Sequence, residues 1–326
     1  MKPTPSESRP SRVSHDDIVA ARARIAGDVR RTPLLRLRGA ELGIDCAELW
    51  LKLEHLQIGG SFKARGMFNR MRANAIPAAG VVIASGGNAG IAVACAAQAL
   101  QVRCEVFVPE VCSVAKRSKL AQLGAHVTVG GAGYADALGA SLARQRDSGA
   151  LLMHAYDQPE VVAGAGTLAA EVEDEVGVPD RALVSVGGGG LIAGIAAWFE
   201  GRARVEALEP ERAPTLYRAR AAGEPVDVDV SGIAADSLGA RRLGAIAWDV
   251  SQRHVAAAHL LDDDAIRAAQ HALWTTLRLA VEPAAALGLA ALTTGAVVPA
   301  SSEKVLLVIC GANVDPSTLD DKDASR

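Results

Sequence analysis

Short apolar runs alternate with amphipathic or alanine-rich stretches along most of the chain. Several of these runs stop at glycine or proline, which is typical of buried strands in a parallel sheet. Strands are predicted at 49–54, 81–84, 104–108, 127–129, 151–153, 182–186, 205–208 and 305–309. Helices are predicted after Ser14 and from Lys63 onward, and at 91–100, 115–123, 134–146, 164–175, 191–199, 265–273 and 283–292.

Buried strands that alternate with helices predict an α/β fold, in which helices cover both faces of an open, mostly parallel sheet. A chain of 326 residues has room for about two such domains. Ligands bind such sheets at the carboxyl ends of the strands. This rule brings four loops into one region, at 61–63, 85–88, 187–191 and 310–313.

Composition narrows the class of protein. Half of the residues are hydrophobic, 22% are charged and the formal net charge is -3, so nothing favours binding to nucleic acid or to an acidic membrane. The five cysteines are scattered and lack metal-binding spacing. Residues 1–13 are rich in Pro and Ser and predict a disordered tail, not a signal peptide. No apolar run reaches the roughly 18 residues of a membrane span, so we expect a cytoplasmic protein.

Lys63 is the first candidate for chemistry. It lies in Ser61-Phe62-Lys63-Ala64-Arg65-Gly66, after a predicted strand and at the start of a predicted helix. Partial burial and the positive end of the helix both disfavour the ammonium form, so a neutral nucleophilic amine becomes accessible. The alternative for an isolated lysine is an exposed side chain in a charged helix start.

Two loops that each connect a strand to a helix are candidate anion sites. Gly187-Gly188-Gly189-Gly190-Leu191 leaves backbone amides uncovered and so makes a phosphate cradle, the alternative being a tight turn. Residues 85–90 hold a similar position. Their amides could bind a carboxylate and Asn88 a ring hydroxyl, the alternative being a capped helix start.

The loop after the last strand carries Cys310, which is a weak donor to a ring nitrogen or else a small buried apolar residue. An amine, a phosphate cradle, an Asn-bearing loop and a neutral partner for a ring nitrogen, all at one sheet edge, match pyridoxal 5'-phosphate. The aldehyde would join Lys63, the phosphate would bind the glycine loop, and the ring would lie between them.

Together these motifs resemble the serine/threonine dehydratase family of fold-type II pyridoxal-phosphate enzymes over about residues 15–316. The matching segments are Lys52-Leu53-Glu54, Gln57, 61–66, 85–90, 157–167, 187–191 with Gly194, 282–286 and 310–313. The resemblance implies a large cofactor-binding domain at 14–69 and 158–316, a small mobile domain at 70–157, and tails at 1–13 and 317–326.

For the site, the resemblance implies that Lys63 forms the Schiff base with the cofactor, Phe62 packs on its ring, and Asn88 bonds its 3'-oxygen. The other implied contacts are Gly187, Gly188, Gly189, Gly190 and Leu191 with the phosphate, Cys310 with the pyridine nitrogen, and Ser85, Gly86, Gly87 and Ala89 with the substrate carboxylate. The implied reaction is dehydration and deamination of L-threonine to 2-oxobutanoate and ammonia, or of L-serine to pyruvate and ammonia. Relatives are usually homodimers.

Some positions depart from the family pattern. Racemases of the family carry a proton-donating serine where this chain has Gly86, so elimination without efficient racemisation is expected. Metal-dependent members use a glutamate, a carbonyl and a second carboxylate; these positions are Glu209, Ala213 and Thr215 here, so a divalent ion is not expected, while a monovalent cation stays open at Glu209 and Ala213. Ser237 replaces a family glycine beside the cofactor, which leaves the substrate pocket undefined.

Other functions on the same fold stay open. These are dehydration of a 3-hydroxyaspartate, β-replacement by a synthase, racemisation, and cofactor binding without catalysis. Synthases usually place a threonine in the phosphate loop, where this chain has only glycines before Leu191. The intact Lys63, Asn88 and glycine loop argue against loss of catalysis. The sequence does not choose among threonine, serine and hydroxyaspartate.

Overall fold

A computed structural model describes residues 12–319, so most of both predicted tails lies outside the described part. The strands are β1 (Leu34–Arg38), β2 (Glu48–Lys52), β3 (Val81–Ala84), β4 (Cys104–Val108), β5 (His126–Val129), β6 (Leu151–Leu152), β7 (Arg181–Ser185), β8 (Arg204–Pro210), β9 (Val255–Leu261) and β10 (Lys304–Val308). The helices are α1 (His15–Ile25), α2 (Lys63–Ala73), α3 (Asn88–Ala99), α4 (Val114–Gln122), α5 (Tyr134–Ser148), α6 (Pro159–Val176), α7 (Gly190–Phe199), α8 (Thr215–Ala222), α9 (Ala245–His254), α10 (Asp263–Leu277) and α11 (Pro283–Thr293).

The strands form two sheets, which confirms the predicted α/β class. A six-stranded sheet has the order β1-β2-β10-β7-β8-β9, and a four-stranded sheet has the order β5-β4-β3-β6. Every pairing is parallel except that of β1 with β2, which is antiparallel at the edge of the larger sheet. The four strands of the smaller sheet lie inside the range 70–157 that the sequence assigned to a small domain; the domain boundaries themselves stay a prediction.

Elements that the pattern missed are β1, β9, α8 and α9. Strand β1 has only half-buried or exposed residues, so it lacks the continuous apolar run of a central strand. Strand β9 begins Val-Ala-Ala-Ala, and alanine favours helix over strand when the sequence is considered alone. Its pairing with β8 overrides this local preference. Helix α6 begins earlier than predicted, because Pro159 is well suited to a first helical position.

Small apolar side chains fill the core. All of β7 is buried, and the alanine-rich α11 and α7 are buried along almost their whole lengths. Aromatic residues make up only 3% of the chain, so small apolar residues must fill the core. Such residues allow the helices to pack closely on the sheets. No helix within residues 12–319 is long and apolar enough to cross a membrane.

A buried cluster of charged side chains connects α2 to β2 and α6. The Arg65 guanidinium donates to Glu54 at 2.8 Å and to Glu171 at 2.7 and 2.9 Å, and the Lys52 amine donates to Glu171 at 2.6 Å. The Arg65, Glu54 and Lys52 side chains are 0% exposed. Burial opposes the Arg65 charge, but the carboxylates outweigh it and raise the Arg65 pKa. The two cations and two anions therefore satisfy one another with little exposure to water.

Replacing Arg65 by Met is expected to lower the free energy of unfolding by about 3–5 kcal/mol, because two buried carboxylates lose their partner. Arg70 gives a matched control on the same helix: it pairs with Glu160 of α6 at 2.7 Å, with both side chains partly exposed. Replacing Arg70 by Met is expected to cost about 1 kcal/mol or less. Urea unfolding of both variants measures the difference, and equal losses would contradict the special role of the buried cluster.

Candidate active site

The backbone fixes where Lys63 lies. Gly59 and Gly60 have φ values of 71° and 77°, the left-handed region in which glycine is favoured, and they turn the chain toward α2. Ser61 then pairs with Gly311, and the Phe62 amide donates to the Cys310 carbonyl at 3.1 Å. Helix α2 begins at Lys63, as the sequence predicted, next to the loop that carries Cys310.

The Lys63 amine faces a pocket and donates to the Ala155 carbonyl at 2.7 Å. It lies 5.0 Å from the centre of the Phe62 ring. Burial lowers the pKa of Lys63 to about 8, although Cys310 and Glu282 act in the opposite direction. A substantial fraction of the amine is therefore neutral near pH 8, and this is the form that attacks an aldehyde or accepts a proton.

The glycine loop forms the opposite side of this pocket. It connects β7 to α7, and Gly189 has a φ of 87°. A methyl group on Gly188 would overlap the Tyr156 ring, and one on Gly190 would lie 2.9 Å from the Tyr156 carbonyl oxygen. The bare loop thus packs directly against Tyr156 and leaves amides at the start of α7 for an anion, so it fits a phosphate group.

Asn88 and Glu282 both line the pocket. The Asn88 side-chain nitrogen donates to both Glu282 carboxylate oxygens at 2.9 Å, and its oxygen accepts from the Asn313 side chain at 2.7 Å. The Glu282 side chain is buried, which raises its pKa, while the hydrogen bonds from Asn88 and Asn313 act in the opposite direction. The Asn88 amide is thus held in one orientation at the pocket wall.

Cys310 is buried at the same pocket. Burial and the nearby Glu282 raise the pKa of its thiol, so the sulfur stays protonated and neutral at physiological pH. A neutral thiol fits a ring nitrogen that is not strongly protonated. One pocket therefore brings together four groups that lie far apart in the sequence, namely Lys63, the glycine loop, Asn88 and Cys310. The chemistry of these groups fits pyridoxal phosphate.

A larger cavity of about 760 Å³ adjoins this pocket and shares Asn88, Glu282 and Ser237 with it. Of the predicted substrate loop, Gly86 and Gly87 line the cavity beside Asn88, and Ser85 and Ala89 flank them. Across the cavity Lys116 of α4 forms an ion pair with Asp236. The cavity can thus admit an amino acid next to the Lys63 amine.

Glu209 and Ala213, proposed for a monovalent cation, do not line the pocket, although Thr215 contacts both Glu209 and the Gly187 carbonyl of the glycine loop. Glu209 is buried, which raises its pKa to about 7. Its carboxylate accepts the amides of Leu216 and Tyr217 at 2.8 Å and lies 3.0 Å from the Thr215 hydroxyl. No group of three or more His, Cys, Asp or Glu residues within the described range is arranged to hold a metal ion. The cation stays a prediction.

Several pocket residues were missed in the sequence. These are Tyr156, the Ala155 carbonyl, Ser185, Leu238 and Glu282. Glu282 lies in a segment that the resemblance already marked, but without a role, and Tyr156 immediately precedes another such segment. A backbone carbonyl such as that of Ala155 carries no signal in the sequence at all.

Comparison with known proteins supports pyridoxal phosphate as the cofactor. A family model described as "Pyridoxal-phosphate dependent enzyme" matches residues 25–311. The chain is 34% identical to an L-threonine ammonia-lyase of Geobacter sulfurreducens, covering 91% of this chain and 74% of that protein. It is 32% identical to a phenylserine dehydratase of Ralstonia pickettii, covering 92% and 93%. The structure of maize serine racemase superposes with a TM-score of 0.88 at 32% identity, covering 95% and 96%.

Replacing Gly188 by Ala tests the glycine cradle. Because the added methyl group would overlap the Tyr156 ring, the loop must shift, and we expect the dissociation constant for pyridoxal phosphate to rise about tenfold or more, equivalent to about 1.4 kcal/mol. Gly139 is the control, since a methyl group there meets open space on α5. A fluorescence titration that shows unchanged affinity for Gly188→Ala would contradict the cradle.

Proposed function

The chain belongs to the pyridoxal-phosphate dependent enzymes, and we propose that it is an ammonia-lyase for a β-hydroxy amino acid. The proposed reactions are L-threonine to 2-oxobutanoate and ammonia, and L-serine to pyruvate and ammonia. The observation that carries the proposal is the Lys63 amine, whose pKa is lowered to about 8, in a pocket with the glycine loop and next to a substrate-sized cavity.

Pyridoxal phosphate, when bound, supplies an electron sink for breaking bonds at the α-carbon of an amino acid. Lys63 supplies the proton-transfer group. A lysine with a pKa of about 8 is a base of useful strength near neutral pH, whereas one with an ordinary pKa stays almost fully protonated. We propose Lys63 as the residue that joins the cofactor and that removes the α-proton of the substrate.

The remaining residues bind and orient. Gly86 and Gly87 precede α3, whose first amides are suited to a substrate carboxylate. Cys310 would present a neutral thiol, rather than a carboxylate, to the ring nitrogen. Removal of the α-proton by Lys63 would then be coupled to loss of the β-hydroxyl.

Racemisation is the first alternative, since serine racemase is among the similar structures. It needs a proton donor on the second face of the substrate. Gly86 has no side chain to offer, and a Cβ atom there would lie 2.8 Å from the Cys112 sulfur. This supports elimination as the main outcome. The second alternative is dehydration of a 3-hydroxyaspartate or of phenylserine. The cavity is large enough to admit either substrate, so both are tested.

The proposal predicts ammonia and a 2-oxo acid from the purified enzyme loaded with pyridoxal phosphate. L-threonine, L-serine, 3-hydroxyaspartate and phenylserine are compared by coupled reduction of the 2-oxo product, and D-serine formation is followed by chiral chromatography. We expect turnover of L-threonine or L-serine, with D-serine formed at less than about a tenth of that rate, and loss of turnover in Lys63→Ala. Rapid D-serine formation, or no 2-oxo acid from any of the four, would contradict the proposal.

A further inference from the structure

A continuous chain of hydrogen bonds runs from an exposed lysine of α4 to the pocket wall. The Lys119 amine donates to the Asn313 side-chain oxygen at 2.6 Å. The Asn313 side-chain nitrogen donates to the Asn88 oxygen at 2.7 Å and to the Gly59 carbonyl at 2.8 Å. The Asn88 nitrogen in turn donates to Glu282 at 2.9 Å, and the Asn313 backbone amide donates to Glu282 at 2.8 Å.

The two ends of this chain fix its direction. An ammonium group can only donate, and an ionised carboxylate can only accept. Lys119 therefore requires the Asn313 oxygen to face it, which turns the Asn313 nitrogen toward Asn88. Glu282 requires the Asn88 nitrogen. The two amides between these ends are thereby aligned, and a flip of Asn313 would place its oxygen against the oxygen of Asn88.

The chain also connects the two sheets. Lys119 and Asn88 lie on α4 and α3, which pack on the four-stranded sheet, whereas Asn313 and Glu282 follow β10 and precede α11 beside the six-stranded sheet. All four residues line the large cavity, and Asn88 and Glu282 also line the smaller pocket that contains Lys63 and the glycine loop. A change at α4 can therefore reach the pocket through the amide of Asn313.

We propose that Lys119 is a positioning residue, which acts through Asn313 to set the orientation of the Asn88 amide at the cofactor pocket. The proposal rests on the proposed function and on a hydrogen bond between Asn88 and the 3'-oxygen of the cofactor, but not on which amino acid is turned over. It assigns α4 a direct connection to the pocket, so that cofactor affinity depends on a side chain that does not itself line the cofactor pocket.

Lys116 provides a control for charge. It lies one helical turn before Lys119 on α4 and also lines the cavity, but it pairs with Asp236 and is outside the hydrogen-bond chain. Lys116→Met and Lys119→Met each remove one positive charge from the same helix. A general electrostatic effect on the anionic cofactor would appear in both variants, whereas an effect through Asn313 would appear only in Lys119→Met.

The test measures the dissociation constant of pyridoxal phosphate by fluorescence titration, without substrate, together with the visible circular dichroism of the bound cofactor. Lys119→Met is expected to raise the dissociation constant about five- to tenfold, less than the roughly tenfold or more for direct loss of a hydrogen bond to a charged group because the effect is indirect, and to change the visible spectrum. Lys119→Arg, which keeps a cationic donor, should restore most of the affinity. Lys116→Met should stay within about twofold of the starting protein.

The decisive comparison uses Asn313→Ala as background. If Lys119 acts through Asn313, adding Lys119→Met to Asn313→Ala has no further effect on the dissociation constant or the spectrum. An undiminished effect in that background, or equal effects of Lys116→Met and Lys119→Met, would overturn the proposal. Asn88→Ala tests the role of Asn88 separately from that of Lys119. If this variant leaves cofactor binding unchanged, the role of Asn88 toward the cofactor fails, whatever Lys119 does.

Discussion

The Lys63 amine is held by the carbonyl of Ala155 and, within residues 12–319, has no ion pair with a carboxylate. Lys52, eleven positions earlier, is also buried, but Glu171 accepts its amine at 2.6 Å. Ion pairing ties Lys52 to the scaffold. Burial lowers the pKa of both amines, but in Lys52 the Glu171 carboxylate opposes the shift directly. Lys63 has a neutral hydrogen-bond partner instead, and burial lowers its pKa to about 8, which makes it the reactive lysine. The chemistry of the pocket depends on this contrast.

The rest of the fold supports that one amine. Arg65, two residues after Lys63, belongs to the buried charged cluster that anchors α2. Its hydrogen bonds to Glu54 and Glu171 therefore hold the start of the helix in place. Parallel strands bring the glycine loop and Cys310 to the same sheet edge, where the α7 amides are suited to an anion. The four-stranded sheet contributes Asn88 and the cavity wall formed by α4. Among the described residues, none of these parts supplies a carboxylate salt bridge to Lys63.

The sequence predicted the α/β class and the convergence of its four loops, because glycine runs after apolar strands and a lysine at a helix start have local signatures. It could not predict partners that are set by tertiary contact. The Ala155 carbonyl has no distinctive side chain, and Tyr156 acquires its place only because Gly188 lets the ring approach. Strand β9 was missed for a related reason: its alanines favour helix until β8 pairs with them. Glu282 and Asn313 carry hydrogen bonds that only the folded chain reveals.

Covalent trapping tests the account most directly. Cofactor-free protein is mixed with pyridoxal phosphate at a series of pH values, reduced with borohydride, digested and analysed by mass spectrometry. The account predicts one dominant pyridoxyl label, on Lys63, whose rate of formation rises with pH through a midpoint of about 8, because the neutral amine is the reacting form. Labelling spread over surface lysines, or a Lys63 midpoint near the ordinary lysine value of about 10.4, would contradict it.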